Sequence, residues 1–162
     1  MTATALDITA PADEPVIYTR RFVKAPPELI FDAWTKPEHL RKWWGPRRLD
    51  MVVCEVDLRV GGSWRFVHRA PDGQEFAFYG KYLDVDAPNR LVATWTWEGM
   101  PDDEAIQTLV LEAVDGGTMV CSEARHQSIA DRDQHLENGM EGGMIETYER
   151  LDELLDQIVE SL

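Results

Sequence analysis

The chain has 162 residues, with 16 Lys and Arg against 30 Asp and Glu, a net charge of −14, 44% hydrophobic and 28% charged residues. This size and composition predict one soluble globular domain, and no stretch approaches the roughly 20 apolar residues that cross a bilayer. The acid excess excludes a nucleic-acid partner, whose phosphates demand clustered Lys and Arg.

Residues 1–14 are short of large apolar side chains and hold Pro11, with Pro15 just after. They predict a disordered leader ahead of a domain at 15–160. Met1–Asp7 lacks the basic and apolar regions of a secretory signal, so cytoplasmic residence is the expectation. The run V-I-Y-T-R-R-F-V at 16–23 is rich in β-branched and aromatic residues and reads as a strand. Ala25-Pro26-Pro27-Glu28 starts a helix, with proline in the first turn, an acid near the positive end of the dipole, and Ile30, Phe31 and Trp34 at helical spacing. A second short helix is expected from Thr35-Lys36-Pro37-Glu38, which has the form of a capping box. Its inner face carries Leu40, Trp43 and Trp44, and Gly45-Pro46 ends it.

Six further strands are predicted at 49–57, 63–69, 75–85, 91–97, 106–114 and 118–126. They are punctuated by Gly61-Gly62, Pro71-Asp72-Gly73, Pro88-Asn89, the loop at 99–104 and Asp115-Gly116-Gly117. Short turns join only antiparallel neighbours, so these strands form a meander and bring the total to seven. Alternation places Leu91, Ala93, Trp95 and Trp97 on one side of the sheet, and Trp64, Phe66 and His68 on one side of theirs. In 75–85 either Phe76, Phe78, Gly80 and Tyr82 or Ala77, Tyr79, Lys81 and Leu83 face inward. From about Asp131 the chain reads as helix, with Met140, Met144, Tyr148, Leu151, Leu155, Ile158 and Leu162 on one stripe. Gly139, Gly142 and Gly143 disturb its front. Either the regular helix starts after Gly143, or these small residues let the helix or a ligand approach the sheet closely. The stretch 131–162 holds ten acids against two bases, either a solvated face or an acidic docking surface.

Chemistry-bearing motifs are sparse. Cys54 and Cys121 lie in apolar runs outside any C-x-x-C unit and read as free, buried thiols. His39, His68, His126 and His135 have no metal spacing, so neither a metal nor a cofactor is expected. His39 falls on the outer side of its helix, and His135 in an exposed acidic turn. His126 ends the last strand, pointing either into a cavity or at water. There is no nucleophile elbow, phosphate-cradling loop or dinucleotide fingerprint, and Gly61-Gly62 is a turn.

The stretches A-P-P-E-L-I-F-D-A-W-T-K-P-E-H-L-R-K-W-W-G-P at 25–46, G-G at 61–62 and P-D-G-Q-E-F-A-F-Y-G at 71–80 fall in a familiar order. P-N-R-L-V-A-T-W at 88–95 and N-G-M-E-G-G-M-I-E-T-Y-E-R-L-D-E-L-L at 138–155 continue it. Together they resemble the homologues of the activator of the heat-shock-protein-90 ATPase (AHSA-type), within the START-like (SRPBCC, Bet v-like) superfamily. The resemblance implies an α+β helix-grip fold, a curved seven-stranded antiparallel sheet wrapped around a long C-terminal helix with two short helices after strand 1. It says less about activity, because that superfamily hosts lipid carriers, hormone receptors, cyclases and co-chaperone domains. Many family members carry a tryptophan after the glycine of the last helix, where this chain has Met144.

Large rings between a sheet and a helix either pack solid or enclose an apolar pocket. The pocket reading names Trp44, Phe66, Tyr79, Trp95, Trp97, His126, Met140, Met144 and Tyr148 as the lining of a site for a small hydrophobic or aromatic molecule, without enzymatic activity. Flexible thioethers at the wide end suit varied apolar guests. Two alternatives stand beside it: a cyclase- or dehydratase-like enzyme using His126 or Tyr79 for proton transfer, and a domain that docks a chaperone through the acidic helix.

Overall fold

A computed structural model describes residues 5–161 of the chain. In chain order the elements are β1 (Leu6–Thr9), β2 (Val16–Val23), α1 (Pro27–Thr35), α2 (Pro37–Trp43), β3 (Asp50–Val56), β4 (Ser63–Arg69), β5 (Glu75–Asp86), β6 (Arg90–Trp97), β7 (Ala105–Val114), β8 (Gly117–Arg125), α3 (Ile129–Glu137) and α4 (Met140–Glu160). The fold is α+β. All strands join one antiparallel sheet in the order β1-β2-β8-β7-β6-β5-β4-β3. The meander from β3 to β8 follows the short turns, and Gly73 and Gly116 take the positive φ those turns need.

The sheet has eight strands where seven were expected. The additional strand, β1, falls inside the segment read as a disordered leader, of which 1–4 lie outside the described residues. It pairs with β2 from Leu6 opposite Arg21 to Thr9 opposite Tyr18. The physical cause is far away in sequence. Arg132 on α3 is buried, and its Nη1 donates to the carbonyls of Pro11, Glu14 and Val16 at 2.9, 2.8 and 3.0 Å. A buried guanidinium needs acceptors, and this segment supplies them.

Helices α1 and α2 start on prolines as expected, but no capping box forms. Lys36 is the N-cap of α2 without a side-chain bond, because the Thr35 hydroxyl instead donates back to the Phe31 carbonyl at 2.8 Å. Trp43 is buried beneath this pair, its indole donating to the Ala33 carbonyl at 2.8 Å.

The late helix is two helices. A left-handed Gly139 (φ 85°) separates α3 from α4, and α4 runs straight through Gly142 and Gly143. The glycines therefore neither delay the helix nor seat it on the sheet: a Cβ added at either would meet no atom within 4 Å. Tyr148, Leu151, Leu154 and Leu155 are the buried residues of α4. They join Val23, Leu109, Leu111 and Val120 from the inner face of the sheet in one apolar cluster. Arg21 on β2 ties the layers together. Its fork grips Asp152 at 3.0 and 2.7 Å, and its carbon Cζ lies 5.2 Å over the Tyr148 ring. Leu162, the last residue of the expected stripe, lies outside the described residues.

Candidate functional site

Register fixes which side chains share the inner face. Along one row, Ile17, Ala124, Gln107, Ala93 and Tyr82 stand side by side across β2, β8, β7, β6 and β5. The next row includes Thr19, Ser122, Leu109 and Leu91. Small side chains at Ala93, Ala124 and Ser122 keep this floor low. Opposite it, Met140, Gly143, Met144, Thr147 and Tyr148 of α4 form a roof, and Gly143 contributes no side chain at all. Between floor and roof lies a cavity of about 460 Å³.

One end of this cavity is ringed with aromatics. Trp44 meets Phe66 at 5.0 Å, Phe78 at 5.4 Å and His68 at 5.1 Å between ring centroids, and Phe78 stacks on Trp95 at 5.5 Å. Trp34 bridges Trp43 and Tyr148 at 4.6 and 6.1 Å. Gly45 closes that end with φ 94°, and a Cβ there would collide with the His68 imidazole. The loop is strapped to the roof. Arg150 donates to the carbonyls of Gly45 (2.7 Å) and Lys42 (2.9 Å), and Arg47 grips Glu153 at 2.7 Å. One acid of the helix face is thus paired within the chain, at the surface.

Burial sets the electrostatics of the walls. It pushes the His68 imidazole down to about 4, with the positive Arg150 pushing the same way and a hydrogen bond to the Trp44 backbone opposing. His135 is likewise pushed down to about 4 by burial and by His126, against the pull of Asp103. Burial raises the Tyr82 and Tyr148 phenols, so both stay protonated. Cys54 is pushed up to about 11 by burial and remains an inert thiol; Cys121 is also free.

Of the side chains named from sequence, Trp44, Phe66, Trp95, Met140, Met144 and Tyr148 border the cavity. Tyr79 does not. In β5 the set Phe76, Phe78 and Tyr82 faces inward, and Tyr79 is 37% exposed on the other side. Trp97 shares the inner face with Phe78 but lies past the cavity's end. There it lines a separate cleft of about 30 Å³ with Met100, Asp103 and Gln134. His126 is buried beside the cavity rather than on it, its Nδ1 3.3 Å from the Asp103 carboxylate and its Nε2 without a partner. His135, read from sequence as exposed, takes the place expected of His126. Because the chain breaks at Gly139, α3 folds back and sets the His135 ring 5.4 Å from Trp95 and 5.1 Å from His126. Sequence reasoning also passed over Gln107, although the alternation Ala105, Gln107, Leu109, Leu111 marks it as inward. Among the described residues no group of His, Cys, Asp and Glu is arranged to hold a metal.

The family model described as Activator of Hsp90 ATPase homolog 1-like protein matches residues 24–156. The chain belongs to this family. Solved structures of similar shape include a Rhodobacter sphaeroides protein, 27% identical with a TM-score of 0.88, covering 94% of this chain and 99% of that one. A Nitrosomonas europaea protein is 28% identical with a TM-score of 0.82, covering 91% and 98%. A third, from Mycobacterium smegmatis, shares the fold at 24% identity and a TM-score of 0.83, covering 94% and 97%. No curated protein matches the chain. In this member of the Activator of Hsp90 ATPase homolog 1-like family, Met144 borders the cavity with a flexible thioether, as Met140 does.

Proposed function

We propose that this protein binds a small, largely apolar molecule between the inner face of the sheet and α4, in a helix-grip arrangement. The cavity of about 460 Å³, in the range typical of ligand sites, carries the reading. A guest that fills it gains dispersion contacts with indole, phenyl and thioether groups that the walls do not make with one another.

An enzymatic reading has one observation in its favour, the buried His126 paired with the partly exposed Asp103 behind His135. It is the weaker reading, because a general base works best near the ambient pH and His135 is held near 4. Docking of a chaperone through the acidic face of α4 draws little support, since Glu153 and Asp152 are already paired with Arg47 and Arg21.

The test is intrinsic tryptophan fluorescence and thermal denaturation against a panel of apolar and aromatic compounds, together with native mass spectrometry of the purified protein. Binders are expected to shift the emission of Trp44 and Trp95 and to raise the melting temperature. A panel that moves neither signal refutes the reading.

A further inference from the structure

The polar groups along the cavity wall divide sharply into those already engaged and those left over. The Thr19 and Ser122 hydroxyls bond each other, and Thr147 donates to the Gly143 carbonyl at 2.7 Å. His68 Nε2 and Trp64 Nε1 are sealed off inside the wall. The buried charge nearest the site, Arg21, is matched by Asp152. Glu123 pairs with Tyr18 and Thr108, at register positions that face away from α4, and Arg48 is exposed on the loop.

Gln107 is left. Its amide stands mid-floor and makes no side-chain hydrogen bond to a described residue. Its neighbours in the register on both adjacent strands are alanines, Ala93 and Ala124, so nothing bulky on the floor covers it. Among the inward positions of β7, Gln107 is the polar exception between Ala105, Leu109 and Leu111, which are all buried. Gln107 is half-buried, so a guest that covers its amide must replace the hydrogen bonds it takes away or lose affinity.

We propose that Gln107 is the specificity-determining residue of this cavity and that the guest is an uncharged amphiphile, a flat hydrocarbon body among the rings with a carbonyl-bearing or lactam-like head on the Gln107 amide. This rests on the binding function proposed above and narrows it. The planar amide both donates and accepts, so it matches a head that does the same. A charged head is disfavoured, because it would surrender its hydration and meet no free opposite charge on the floor. The other unpaired groups on the wall, His68, His135, the Trp64 indole and the phenols of Tyr82 and Tyr148, are neutral as well and agree with an uncharged guest.

The experiment uses three tricyclic probes of one shape: phenanthrene, its lactam 6(5H)-phenanthridinone, and phenanthrene-9-carboxylate, each titrated into wild type, Gln107→Leu and Gln107→Met by tryptophan quenching. Wild type is expected to bind the lactam about tenfold more tightly than the hydrocarbon and the carboxylate alike. Both variants are expected to lose that preference and to bind the hydrocarbon at least as tightly as wild type does, because the amide no longer has to be covered without a partner. Equal binding of lactam and hydrocarbon by wild type overturns the proposal without needing any variant, as does a lactam preference that survives in both variants. A carboxylate that matches the lactam overturns it in favour of Arg48. If none of the three binds, this inference falls, and the broader panel decides whether the binding function falls with it, whereas hydrocarbon binding without a lactam preference removes only the role of Gln107.

Discussion

Three glycines around the cavity do opposite things. Gly45 is compelled twice, by its φ of 94° and by the His68 ring where a Cβ would go. Gly142 and Gly143 are compelled by neither, since they are helical and a Cβ at each meets open space. Glycine in a helix interior costs up to about 1 kcal/mol relative to alanine. Gly142→Ala and Gly143→Ala are therefore expected to stabilise the protein by about 0.5–1 kcal/mol each, and Gly45→Ala to destabilise it by about 2 kcal/mol or more. Urea denaturation of the three variants reads all of this, and a destabilised Gly142→Ala would mean that α4 needs to bend there. Gly143 borders the cavity, so its methyl should also weaken the largest guests while leaving small ones unaffected. That split separates a glycine kept for a ligand's room from one with no such role.

Among the elements, β1 depends most on a distant residue. Its four residues Leu6-Asp7-Ile8-Thr9 are too few to announce a strand, and three carbonyls that hold the connection to β2 are gripped by Arg132. Arg132→Leu is expected to cost about 3 kcal/mol, because it strands buried acceptors along with the lost charge-assisted bonds. Amide exchange should accelerate at Leu6–Thr9 while β5–β7 stay protected; unchanged protection there would show that β1 holds by its ladder alone. The same dependence explains what the sequence conveyed. Strands β2–β8 and both proline-led helices were legible because their signals are local, alternation and turn residues within a few positions. The orientation of β5 was not, since Phe78 and Tyr79 are both aromatic and only pairing with Phe66 and Arg65 decides which faces inward. Nor was the place of His135, which follows from the reversal at Gly139 and the docking of α3 on Trp95. Six of the nine side chains named for the site border the cavity because ring and methionine positions follow from periodicity. Gln107 carries the same mark, its alternation with Ala105, Leu109 and Leu111, but a lone polar side chain in an apolar row does not announce a wall position.

At the scale of the whole molecule, two neutral imidazoles flank the aromatic wall of the cavity, His68 on β4 beside Phe78 and His135 on α3 beside Trp95. Each has a folded pKa near 4 against an ordinary value of 6.5. The unfolded chain therefore takes up these protons first as the pH falls. Their contribution to stability is complete above about pH 6.5, declines through the interval from 6.5 to 4, and is gone below it. A tenfold drop in proton affinity on folding corresponds to about 1.4 kcal/mol, so together the pair accounts for a few kcal/mol of acid sensitivity. Carboxylates paired in the native state add their own acid sensitivity, so the wild-type curve alone does not isolate the histidines. The informative quantity is the difference between wild type and His68→Phe/His135→Phe, neither of which titrates at those positions. Urea midpoints measured from pH 7.5 to 4 should show the double variant losing less stability than wild type, with the gap opening below pH 6.5 and levelling near pH 4. Parallel curves would mean that both rings find solvent or a carboxylate when protonated, and that the walls of the cavity yield to charge. The neutral guest inferred for Gln107 would then lose its electrostatic reason, because a wall that admits a proton also admits a charged head.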